Sequence, residues 1–95
     1  NKFPVMQRDL ALVVAKDTAY HSIEDTIKKA RLPRLTGMRL FDVFESDKLG
    51  AGKKSMAINF TFSDEEKTLT DKEVDSMVAK LVQAFEKELG AEIRK

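Results

Sequence analysis

The chain has no cysteine, one histidine, one tyrosine, two prolines and four glycines among its 95 residues. Without cysteine, disulfides, thiolate catalysis and cysteine-based metal sites are all excluded. A single histidine, His21, cannot build a zinc site without unusual help from carboxylates. No apolar run approaches the ~20 residues that cross a bilayer, and no basic, apolar and small-residue leader opens the chain. Charge of one sign is missing too: 17 basic residues face 16 acidic ones, a formal net charge of +1. A strongly basic chain would argue for nucleic acid by itself. Here any affinity for RNA has to come from local clustering of charge.

What is present is an ordinary globular composition, 42% hydrophobic and 35% charged, in a length suited to one domain burying roughly 65% of its unfolded surface. The chain opens at Asn1 rather than methionine, and is expected to be a piece of a longer protein. The clearest stretch runs from Leu40 to Phe62. Two alternating runs, 40–44 and 53–62, flank a polar, glycine-containing turn, which is the pattern of a β-hairpin. In the second run Met56, Ile58, Phe60 and Phe62 fall on one face, with Ser55, Ala57, Asn59 and Thr61 on the other. The first face needs a cover and the second can stay open. For the first run, burying Asp42 would cost several kcal/mol without a partner. That places Phe41 and Val43 on the covered face, and Leu40, Asp42 and Phe44 on the open one. The alternative is that Phe44 closes the end of the core.

The rest of the chain supplies the cover. Residues 1–7 read as an extended lead-in, because Pro4 cannot donate in a sheet ladder. Residues 8–15 read as a nearly continuous apolar strand with Leu10, Leu12 and Val14 on one face and Asp9, Ala11 and Val13 on the other. A helix over about 20–31 shows Tyr20, Ile23, Ile27 and Ala30 at helical spacing, partial capping-box character at 22–25, and Lys28, Lys29 and Arg31 at its C-terminal end. Pro33 stops it, and residues 34–37 connect to the hairpin. Thr70 and Glu73 form a capping box for a second helix to about Leu89, with Val74, Met77, Val78, Leu81, Phe85 and Leu89 as its apolar stripe. Gly90 ends it, and a short strand follows with Ile93 inward. The order β-α-β-β-α-β gives an α+β ferredoxin-like fold: a four-stranded antiparallel sheet with both helices on one face.

That fold hosts many activities, so function has to be argued from the site. A small phosphate hydrolase would need a glycine-rich cradle after the first strand, and residues 15–19 contain no glycine. The run Gly50, Ala51, Gly52, Lys53 resembles a phosphate loop only faintly, because it joins two hairpin strands and opens no helix. His21 has no neighbouring nucleophile, and the carboxylates Glu65, Glu66, Asp71 and Glu73 read as solvated loop and cap residues. No catalytic residue and no cofactor is therefore expected in the chain itself. Two classes remain, RNA binding and a ferredoxin-like protein-interaction or small-ligand regulatory module. For RNA, the cations Arg8, Arg39, Lys48, Lys53 and Lys54 fall at strand ends and in the turn, where charges are commonly just solvated. Their combination with an outward Phe44 and a small-residue surface from Ala11, Val13 and Ala57 suits a stacked base.

Four segments, 8–10 (Arg-Asp-Leu), 41–44 (Phe-Asp-Val-Phe), 52–55 (Gly-Lys-Lys-Ser) and 68–74 (Thr-Leu-Thr-Asp-Lys-Glu-Val), resemble in order and spacing the ferredoxin-fold anticodon-binding domain. That module stands at the C-terminus of the β subunit of bacterial phenylalanyl-tRNA synthetase. The resemblance covers nearly the whole chain, so residues 1–95 are expected to be one such domain. It implies a grip on the anticodon stem-loop of phenylalanine tRNA. It also implies a cytoplasmic parent ligase, dependent on ATP and magnesium, whose catalytic site lies on a partner α subunit. A single-chain organellar synthetase resembles the module equally at its own C-terminus. In the family the position of Phe44 is usually tyrosine, so stacking is kept here and the hydroxyl is lost; glycine is usual where Ser46 stands. The expected RNA-binding residues are Phe44 for stacking, Lys53, Lys54 and Arg39 for phosphates, and Ser55 beside them. Arg8 either joins that surface or pairs with Asp9 or Asp42.

Overall fold

In a computed structural model the described residues are 4–45 and 47–94; Asn1 to Phe3 of the lead-in, Ser46 of the turn and Lys95 lie outside them. The elements are β1 (Met6–Ala15), α1 (Tyr20–Ala30), β2 (Leu35–Glu45), a single 3-10 turn (Asp47–Leu49), β3 (Lys53–Phe62), α2 (Asp71–Leu89) and β4 (Glu92–Arg94). The strands form one sheet in the order β2-β3-β1-β4, with β1–β3, β1–β4 and β2–β3 all antiparallel. This is the ferredoxin-like α+β arrangement expected from the order of the elements.

The core follows from the two periodicities. Leu10, Leu12 and Val14 of β1 and Met56, Ile58, Phe60 and Phe62 of β3 are buried against Ile23 of α1 and Val74, Val78, Leu81 and Phe85 of α2. The rings of Phe60 and Phe85 meet with centroids 6.2 Å apart, within the range of favourable tilted aromatic pairs. The capping box of α2 is realised: the Glu73 amide donates to Thr70 Oγ1 at 3.2 Å, and the Thr70 amide donates to Glu73 Oε1 at 3.3 Å. Gly90 closes the helix in the left-handed region at φ 61°, where a residue with a Cβ is strained. The start of α1 differs from expectation. Its N-cap is Ala19, with no side-chain cap bond, and the hydroxyl of Thr26 instead returns to the Ser22 carbonyl.

Two strand boundaries also move. β1 begins at Met6, so Met6 and Gln7 belong to the sheet rather than to the lead-in. β2 begins at Leu35, so most of the expected 34–37 connector is strand. The central correction concerns parity in β2. Leu40 lies opposite Ile58, on the helix-covered face, and not on the open face. The register then shifts, because Asp42 pairs with Ala57 and leaves Phe41 without a partner of its own. Beyond the shift Val43 lies opposite Met56 on the helix side but is 46% exposed rather than covered, and Phe44 faces Ser55 on the open side. The alternation inferred from Asp42 holds for residues 42–44 but not across the bulge, where one extra residue interrupts it.

Candidate nucleic-acid interface

The side of the sheet without helices is built from strand register alone. One row across it reads Phe44, Ser55, Val13, Glu92, and the next reads Asp42, Ala57, Ala11, Arg94. A third reads Arg39, Asn59, Asp9, and Lys53 stands opposite Ala15 at the hairpin end. Val13 is 1% exposed and Ser55 3%, although no helix lies over them. Val13 also stands outside the main hydrophobic cluster. Phe44 ends its row at the edge strand and is 49% exposed. A half-open ring at the border of a small-residue surface can offer its face to a planar ligand.

Charge on this face is balanced: Arg39, Lys53 and Arg94 against Asp9, Asp42 and Glu92. The acids are partly occupied. Asp9 Oδ1 accepts from Asn59 Nδ2 at 2.7 Å, and Glu92 lies 3.9 Å from Arg94. Arg39 and Lys53 make no ion pair or side-chain hydrogen bond among the described residues, which leaves their charges available to an anion. The hairpin turn beside Lys53 depends on Gly50 and Gly52, at φ 108° and 72°, both in the region that glycine adopts without strain.

The expected residues do not all meet here. Phe44, Ser55, Arg39 and Lys53 share the open face. Lys54 does not: it lies opposite Val14 on the other side, and its ammonium donates to the Thr18 carbonyl oxygen at 2.8 Å. Arg8 is further removed. It lies opposite Phe60 on the helix side, about 16 Å along β3 from the Phe44 row at ~3.3 Å per residue. Its guanidinium pairs with Asp71 at 3.2 Å and Asp75 at 4.0 Å on α2, not with Asp9 or Asp42. The geometry adds one aromatic that strand alternation had assigned to the core: Phe41 is 49% exposed. The signal was the three-residue step from Leu40 to Val43, too long by one for a single face of an unbroken strand.

Perturbed titration lies away from this face. The Asp64 carboxyl is held below the ordinary range by the Glu66 amide and then by Arg34, whose own pKa the pair raises. Glu73 is lowered by Lys67 and then by the Thr70 amide. Burial, with Glu24 adding, pushes the Tyr20 phenol up. These shifts come from ion pairs, caps and packing. A concavity lined by Arg34, Thr36, Ser63, Asp64 and Glu66 has its polar groups already joined, Arg34 to Asp64 at 2.8 Å and Thr36 to Ser63 at 3.0 Å. His21 is exposed and paired with Asp25 at 3.2 Å. Among the described residues no group of three or more histidine or carboxylate side chains is placed to hold a metal ion, and no helix is long and apolar enough to cross a membrane.

The family model for the ferredoxin-fold anticodon binding domain matches residues 1–94. The chain belongs to that family. Its curated relatives include the phenylalanine–tRNA ligase β subunits of Streptococcus pneumoniae and Streptococcus pyogenes, each 42% identical over 93 residues, and of Streptococcus mutans, 41% identical over the same span. The aligned stretch is 98% of this chain and 12% of each relative. This anticodon-binding domain therefore spans about an eighth of the length of the ligase subunits it matches. Its open face carries phenylalanine at position 44, with the ring half exposed.

Proposed function

We propose that the chain is the anticodon stem-loop-binding module of a phenylalanine–tRNA ligase β subunit. Phe44 stacks on an unpaired anticodon base, and Ser55, buried beside it at 3% exposure, lies outside the contact. Arg39 and Lys53 neutralise phosphates on either side. Lys54 and Arg8, engaged on the other side of the sheet, act outside this contact. ATP- and magnesium-dependent attachment of phenylalanine belongs to the cytoplasmic parent and its α subunit, and this domain supports it by holding the tRNA.

The observation that carries the reading is the half-exposed Phe44 ring on the uncovered face, with two uncommitted cations on the same face, in a chain of an anticodon-binding family. Much of the affinity is electrostatic and falls as salt rises. A filter-binding titration against phenylalanine tRNA, with an anticodon-stripped control, tests it. Tighter binding to the intact tRNA is the expected result; equal affinity for both would overturn it.

A further inference from the structure

β2 carries one residue more than its ladder uses. Leu40 and Asp42 lie opposite Ile58 and Ala57, which are consecutive on β3, so Phe41 between them is surplus to the pairing. A strand lacking Phe41 would keep the same partners: Leu40 with Ile58, Asp42 with Ala57, Val43 with Met56 and Phe44 with Ser55. Register does not require this residue. The core does not use it either, because Phe41 is 49% exposed and stands outside the hydrophobic cluster. Inserted residues of this kind gather beside functional sites, where they re-aim a side chain.

Its surroundings point to what the ring contacts. Phe41 and Phe44 are equally exposed, at 49%, on the same edge strand, with Val43 between them at 46%, and they are its two exposed rings. They are separated by about 10 Å of chain at ~3.3 Å per residue. Arg39 precedes them on the strand, and Lys53 stands beyond Phe44 at the hairpin end. Cation, ring, ring and cation in succession match a short run of single-stranded RNA with its bases unstacked from one another.

We infer that Phe41 is a second aromatic platform of the same interface, taking the face of a nucleobase adjacent to the one on Phe44. This rests on the RNA-binding reading proposed above. The test titrates Phe41→Ala and Phe44→Ala against phenylalanine tRNA beside the unaltered chain, with a thermal melt of each. Loss of one stacked base weakens binding about 5- to 150-fold, and Phe41→Ala is expected in that range with an unchanged melt. Unchanged affinity in Phe41→Ala, together with weak binding in Phe44→Ala, overturns this inference and leaves the RNA reading standing. Unchanged affinity in both variants overturns both. Should Phe41→Ala lower the melt, Phe41→Leu keeps apolar bulk without the ring. In that variant weakened binding supports the platform and unaltered affinity overturns it.

Discussion

The ammonium of Lys54 donates to the Thr18 carbonyl oxygen at 2.8 Å, tying the start of β3 to the loop that leads into α1. A hydrogen bond from a charged donor is worth about 1.5–3 kcal/mol where it is sheltered, and Lys54 is partly buried. Lys54→Met, which keeps the apolar stem, is expected to lower stability by about 1–2 kcal/mol while leaving the salt dependence of tRNA binding unaltered. Urea denaturation and a salt titration read the two effects separately. A reduced salt slope would return Lys54 to the phosphate contacts.

Phe44 and Lys53 should behave the opposite way. Phe44→Ala is expected to cost about 1–3 kcal/mol in tRNA binding with the fold intact. A thermal melt that collapses with this change would place the ring in the core. Lys53→Ala should weaken binding and reduce the logarithmic salt slope by about 1.

The capping box of α2 gives a stability test independent of RNA. Thr70→Ala removes the acceptor for the Glu73 amide, and the expected loss is about 1 kcal/mol. Thr70→Ser, which keeps a hydroxyl, should recover most of it. Chemical denaturation of the three chains provides the comparison.

Asp64 and Glu73 are two carboxyls at this end of the molecule whose pKa folding lowers. Both carboxyls are held below their ordinary values, by the Glu66 amide with Arg34 and by Lys67 with the Thr70 amide. A carboxyl lowered on folding contributes stability that is complete above its unfolded value, near pH 4, and is lost as the pH falls through its folded value. Stability should therefore decline from about pH 4 downward. The double change Asp64→Asn with Glu73→Gln should be less stable at neutral pH and show a shallower acid decline. Urea midpoints measured from neutral to acid pH test this, and an undiminished decline in the double variant would assign it to other carboxyls.

Much of this architecture was legible because each element repeats its signal. Four alternate apolar residues in β3, a six-residue apolar stretch in β1 and the Thr70–Glu73 box each point to one structure. The site was legible in part, because Asp42 is expensive to bury and that cost fixes the face of Phe44. What alternation could not show is an inserted residue: parity counted through Phe41 puts Leu40 on the wrong side. Lys53 and Lys54 are neighbours in sequence and identical in type, yet strand geometry sends them to opposite faces. The sequence offers Arg8 the acids Asp9 and Asp42, and only the packing of α2 brings it Asp71 and Asp75 instead.

The border strand β2 breaks step with β3 twice, between Leu35 and Gly37 and between Leu40 and Asp42. An outer rim with uneven spacing cannot present a regular row of amides and carbonyls for another chain to match. The insertion that displays Phe41 thus has a second effect: it spoils the template on which neighbouring molecules would stack, and lets a greasy margin stay in water without seeding fibres.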